Sequence, residues 1–279
     1  MTTRTVSKAS WIYTVVSLLM VCVFLFPIYW MVATAVKPAT EIFANPPKLI
    51  PTNVDFTVWQ TRIFENPRVL RYFVNSLILG FGTTFLTLAL AAPASYGIAK
   101  LPIRGKSFLL SISLVSLMFP AIMLALPFFV MFSRIGLTDS YAGLILANTA
   151  LALPFAIIVL RPFFLAIPNE LTAAAQIDGC TPFGAFVRVV LPLATPGLFT
   201  AAVFTFLFGW SDLVFALSLT TEESMRPVTA GLWNFIGSNV TQWNAVMAFS
   251  TLAMLPPLAV FLVAQRYVVA GLTAGAVKE

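Results

Sequence analysis

What most constrains this chain is a series of stretches too long and too oily to fold in water. They fall at about residues 11–36, 72–99, 107–133, 140–162, 193–219 and 242–266, and the first three contain no Asp, Glu, Lys or Arg. Crossing a hydrocarbon core takes about 20 apolar residues in helix. An open sheet would leave its backbone polar groups unsatisfied in lipid, so helix is the conformation expected of each stretch. The expected fold is an all-α membrane protein with six transmembrane helices. Composition agrees, with 59% hydrophobic and 9% charged residues where a soluble domain carries roughly a quarter charged.

The first stretch follows Arg4 and Lys8, and Ala33-Thr34-Ala35 imitates a cleavage site. It is far longer than the roughly 7–15 residues of a signal-peptide core, so we expect a retained helix. Orientation follows the basic residues of the short loops. Arg4 and Lys8 precede the first helix, and Lys100, Arg104 and Lys106 crowd the second connection, whereas the connections after the third and fifth helices carry Arg134 and Arg226. Both termini are thereby expected in the cytoplasm. Residues 37–71 become an extracytoplasmic loop, 168–192 a cytoplasmic insert and 267–279 a cytoplasmic tail.

Much chemistry is excluded. The chain has no His and two Cys, with no CxxC spacing, so neither a metal site nor a disulfide framework nor a Ser/His/Asp triad is expected. Glu222-Glu223 reads as a solvated turn. The net charge of +6 is scattered among short loops and suits membrane topology better than nucleic acid. Arg104-Gly105-Lys106-Ser107 looks like the end of a phosphate loop, but the Gly required five residues earlier is Lys100. We therefore expect no enzyme activity, and no cofactor, on this chain.

The insert is unusual for so oily a sequence: ELTAAAQIDGCTPFGAFVRVVLPLATP, residues 170–196. Asn169 reads as a helix cap with Glu170 in the first turn, and Gly179 as a helix terminator after Asp178. Thr181 caps a second helix that has Pro182 in its first turn. Phe183, Phe186, Val187 and Val190 recur at helical spacing along it, and Pro192 and Pro196 end it. Two readings stay open on this physics: a surface helix pair packed under its own bundle, or a docking element for a soluble partner. Pro120 and Pro127 in the third helix, and Pro256-Pro257 in the sixth, predict kinks or breaks. An acid inside a membrane is costly. Asp212, with Trp210, therefore reads either as a lining of a translocation pathway or as a hydrated or paired residue.

These residues resemble a known family. The stretch Glu170, Leu171, Ala174, Ala175, Ile177, Asp178, Gly179, then Leu191, Pro192 and Pro196, is similar to the EAA loop of binding-protein-dependent ABC importer permeases of the carbohydrate type. Asn75-Ser76-Leu77, Ala94–Lys100 and Trp210-Ser211-Asp212-Leu213 resemble further segments of that family. The tail from Ala264 to Lys278 resembles the end of the smaller permease subunit of maltose-type importers. The resemblance implies a type I ABC importer transmembrane domain in a bacterial cytoplasmic membrane, moving a carbohydrate by alternating access. It further implies a second permease as heterodimer partner, an ATPase dimer holding ATP and Mg at the cytoplasmic face, and an extracytoplasmic solute-binding protein. Glu170, Leu171, Ala174, Ala175, Ile177, Asp178, Gly179 and Phe183 would then couple to the ATPase, with Thr273, Gly275 and Lys278 of the tail facing it. The family's motif Glu falls at Ala173, so Glu170, on the same helical face, is expected to supply the acid. The rival class, an ion-coupled secondary transporter or channel, would need several intramembrane ionisable groups, and beyond Asp212 this chain has almost none.

Overall fold

The computed structural model describes residues 8–236 and 241–274. Among them there is no strand. The helices are α1 (Lys8–Ala35), α2 (Ala39–Ile42), α3 (Pro67–Lys100), α4 (Lys106–Ser116), α5 (Ala121–Arg134) and α6 (Tyr141–Ala166). After these come α7 (Asn169–Ile177), α8 (Pro182–Ala185), α9 (Leu191–Leu193), α10 (Thr195–Ser211), α11 (Val214–Leu219), α12 (Val228–Gly231) and α13 (Trp243–Ala274).

Four helices, within α1, α3, α6 and α13, are each long and apolar enough to cross a membrane. The count rises to six when each of two bent pairs is taken as one span. The expected third span is such a pair, because α4 and α5 meet at 97°. The break has a covalent cause. Pro120 has no N–H to donate and sits at φ −62°, ψ 133°, ahead of α5, and its ring disfavours helical geometry in the residue before it. Pro127, by contrast, lies inside α5. At Pro256-Pro257, where a kink or a break is expected, there is no break, since α13 runs through both prolines. The fifth apolar stretch is also interrupted: α10 ends at Ser211 and α11 restarts at Val214.

The chain divides into two compact units. One comprises residues up to Pro67 with Leu232–Met254. In it, most of α1 is exposed, and none of its most apolar window is buried within the chain, as befits a helix whose solvent is lipid. The loop after α1 is ordered by a few strong bonds. Trp59 Nε1 donates to the Ala35 carbonyl at 2.9 Å, and the Asp55 amide donates to the Val36 carbonyl at 2.9 Å. The Glu41 carboxylate accepts from the Thr52 amide at 2.8 Å and from the Asn53 amide at 3.3 Å.

The second unit comprises Arg68–Gly231 and the chain from Leu255. Within it α3 and α6 run parallel, tied together at both ends. At their starts Tyr141 Oη donates to Asn75 Oδ1 at 2.7 Å. At their ends Lys100 Nζ donates to the Leu165 carbonyl at 3.2 Å and also to the Ile167 carbonyl. An ammonium among the last carbonyls of a helix satisfies orphan acceptors and opposes the negative end of the helix dipole. Helix α10 returns between these ends, packed closely against α3. A Cβ on Gly209 would stand 2.9 Å from the Leu79 carbonyl oxygen. Such small residues are what let helix backbones approach within a bilayer.

Candidate functional site

At the Lys100 end of the second unit, residues 168–194 fold into the helix–Gly–helix element that the sequence suggested. Asp178 closes α7, and Gly179 turns the chain at φ +90°, in the left-handed region that suits glycine. Thr181 caps the next helix as expected, its Oγ1 accepting from the Gly184 amide at 3.0 Å, with Pro182 in the first turn. Two local expectations are corrected. Asn169 is the first residue of α7, not its cap. Pro168, at ψ 138°, precedes it, and no side chain caps that end. The second helix is not uniformly α, for residues Phe186–Val190 form a π turn. Pro192 explains this, because its ring collides with the carbonyl four residues back and removes a donor, so the ladder widens before α9.

That wider turn splits the apolar stripe expected of Phe183, Phe186, Val187 and Val190. Phe186 and Val190 are buried, while Phe183 is 73% exposed and Val187 41%. The buried pair joins Leu160, Phe164, Ile167 and Ala194 in one core. Its centre is aromatic: the Tyr96 and Phe186 rings lie 4.8 Å apart, and Tyr96 meets Phe164 edge-on at 5.9 Å. The insert is therefore held on the ends of α3 and α6 by a packed aromatic joint, beside the Lys100 cap. In the sequence Lys100 reads as a topology marker and Tyr96 as part of a resembling segment. Neither had a signal that pointed to this anchoring, because the contacts join residues some 65 to 90 positions apart.

The outer face of the element differs. Glu170, Ala174, Asp178 and Gly179 are exposed, Leu171 is 42% exposed, and Ile177 reaches 86%. Ala175 is the exception among the expected docking residues: at 8% exposure it packs inward, and the Cys180 amide donates to its carbonyl at 2.9 Å. A row of Leu, Ile and Phe is thus displayed on a rigid support, with Glu170 and Asp178 at the two ends of the same short helix.

Trp210 and Asp212 lie at the opposite end of the unit. Trp210 is 4% exposed, stacked on Phe206 at 5.8 Å and edge-on to Phe73 at 6.2 Å. Asp212 is half-buried and caps α11: Oδ1 accepts from the Phe215 amide at 3.1 Å and Oδ2 from the Ala216 amide at 3.0 Å. Asn148 Nδ2 donates to Oδ2 at 3.4 Å, a pairing with the neighbouring α6. Residues 75 and 76 organise the same end. Asn75 Nδ2 donates to the Ser224 and Arg226 carbonyls at 2.9 and 2.8 Å, and Ser76 Oγ accepts from the Val228 amide at 2.9 Å. Of the expected tail residues, Thr273 falls in the last turn of α13, and Gly275 and Lys278 lie outside the described residues.

The family model described as "binding-protein-dependent transport system inner membrane component" matches residues 89–274, about two thirds of the chain and the whole of the helix–Gly–helix element. The chain belongs to this family of permeases. The permease is a transport component and not an enzyme. It is 39% identical over 256 residues to the trehalose transport system permease protein SugB of Mycobacterium tuberculosis, covering 91% of this chain and 92% of that one. It is 34% identical over 253 residues to the diacetylchitobiose uptake system permease protein DasC of Streptomyces coelicolor, covering 91% of each. In fold the permease matches a chain of a bacterial ABC transporter that imports the acidic polysaccharide alginate, with a TM-score of 0.79, 23% identity, and coverage of 95% and 99%. A chain of the MetNI methionine ABC transporter matches at a TM-score of 0.56 and 21% identity, over 73% of the permease.

Proposed function

We propose that this chain is one permease half of a type I ABC importer for a carbohydrate, an oligosaccharide, glycoside or polyol, in a bacterial cytoplasmic membrane. Both termini and the 168–192 element face the cytoplasm, where a separate ATPase dimer docks. A second permease completes the pathway, and an extracytoplasmic solute-binding protein delivers the sugar. The single observation that carries the reading is the display of Leu171, Ile177 and Phe183 on an element whose other face is locked into the bundle. Exposed apolar side chains on a stiff support are what a soluble partner needs in order both to bind and to push. By the family resemblance the tail, with Thr273, Gly275 and Lys278, meets the same ATPase.

The mechanism follows from that stiffness. Closure of the ATPases on ATP moves the element. The aromatic joint around Tyr96 and Phe186, with the Lys100 cap, passes the displacement to α3 and α6, and the cavity reorients. The sugar class is suggested by the disaccharides in the relatives' names, trehalose and diacetylchitobiose. The test is co-purification with transport. Tagged permease should bring down an ATPase, and uptake of a labelled disaccharide should stop on ATP depletion. Uptake that persists without ATP while an ion gradient is intact would instead make the chain an ion-coupled carrier.

A further inference from the structure

The loop after α1 folds back on the end of that helix and, with the start of α13, encloses a pocket of about 250 Å³. Trp30, Phe43, Trp243 and Met247 supply apolar walls. The polar groups are more telling. Lys37 is 2% exposed. Its Nζ donates to the Lys48 carbonyl at 2.6 Å and stands 4.3 Å from the centre of the Trp30 ring. Glu41 and Lys48 offset one another through Thr52. Lys48 Nζ donates to Thr52 Oγ1 at 2.9 Å, and that hydroxyl donates to Glu41 Oε1 at 3.1 Å. Both Glu41 oxygens are turned to Thr52 and Asn53. Among the described residues, no carboxylate oxygen lies within 4.0 Å of Lys37 Nζ. A desolvated ammonium without a counter-charge is unfavourable.

Thr34 adds an independent observation. It lines the same pocket, is 5% exposed, and its Oγ1 has no hydrogen-bond partner. A threonine in a helix can bond a carbonyl one turn back; Thr34 does not, and its free donor lining the same pocket as a buried ammonium suits the oxygens of an anionic ligand. The location selects the anion. The pocket lies where α1, exposed to lipid along its apolar length, meets the loop, at the depth of phospholipid headgroups and of interfacial tryptophans. A volume of about 250 Å³ suits a phosphate with a small polar substituent and is too small for an oligosaccharide.

We propose that this pocket binds the phosphate of an anionic phospholipid, with Lys37 Nζ and Thr34 Oγ1 donating to its oxygens and the acyl chains lying along α1. A zwitterionic headgroup would bring its own cation against Lys37. The proposal needs α1 to span the membrane and is independent of the transport reading.

The test is native mass spectrometry of the full-length chain, purified in detergent and exposed to equal amounts of phosphatidylglycerol and phosphatidylcholine with matched acyl chains. Wild type should retain phosphatidylglycerol by about fivefold, the factor one basic group near an anionic headgroup supplies. Lys37→Gln should remove that preference. Thr34→Val keeps the residue's shape and breaks no bond within the chain, so it should reduce the preference without lowering the melting temperature. Equal retention of both lipids by wild type, or a preference unchanged in both variants, overturns the proposal. Millimolar glycerol phosphate should fail to displace the lipid; displacement would make this a site for a soluble phosphate ester and overturn the lipid assignment.

Discussion

Truncating Ile177 tests whether the joint to the ATPase is mainly apolar or mainly ionic. The side chain is 86% exposed at the end of α7, so it contributes almost nothing to holding this chain together. Ile→Ala removes three carbons, about 2.4 kcal/mol of transfer free energy at roughly 0.8 per methylene, of which about 2 remains available to a partner that covers it fully. That corresponds to about a thirtyfold weaker ATPase complex. Glu170, exposed in the first turn of the same helix, commands about 0–1 kcal/mol as a surface ion pair, so Glu170→Gln should weaken the complex by at most about fivefold. The assay is a titration of the ATPase subunit onto immobilised permease, beside a melting curve of each variant alone. We expect Ile177→Ala to melt like wild type yet bind about thirtyfold more weakly, and its effect to exceed that of Glu170→Gln. Binding by Ile177→Ala within twofold of wild type, or a larger loss from Glu170→Gln, would refute the argument that exposed apolar surface dominates this joint.

The remaining predictions probe what holds the sites in place. Phe186→Ala, at a ring buried between Tyr96 and Phe164, should lower stability by about 3–5 kcal/mol and uncouple ATP hydrolysis from transport, read by thermal melting and by the ATPase-to-uptake ratio. Gly209→Val sets a Cβ 2.9 Å from a backbone carbonyl that cannot move aside; loss of folded protein on gel filtration is expected, whereas a normal yield would show that α3 and α10 sit further apart. The Glu41 carboxyl is held below its ordinary 4.5 chiefly by the Thr52 amide, against some desolvation and with help from Asn53, the Thr52 hydroxyl and Lys48. A depressed acid stabilises above its unfolded value. The loop after α1 should therefore be closed at neutral pH and open as pH falls below about 4.5 through the lower folded value. Protease sensitivity of residues 37–58 against pH reads this, and Glu41→Gln should flatten the acid step.

The sequence by itself determined how many apolar stretches there are, that they would be helices, and where the chain pauses for a half-polar insert. Those are local properties. Apolar length, the charge of short loops, the positive φ that Gly179 accepts and the cap that Thr181 provides are all set by neighbours within a few residues. Even so, prolines that alike predict a kink or break behave differently. Pro120 stands at the break ahead of α5, while Pro256-Pro257 is carried through α13. Tertiary structure alone decided which face of the insert is anchored and which is displayed. Phe183 and Phe186 read as equivalent at helical spacing. A π turn ahead of Pro192 and the Tyr96–Phe164 contact send one outward and bury the other. It likewise placed Lys100 on the carbonyls that end α6, turned Asp212 into a helix cap, and set the buried Lys37 beside the idle Thr34 hydroxyl. Each of these depends on groups made neighbours by folding, and no spacing along the chain encodes such a meeting.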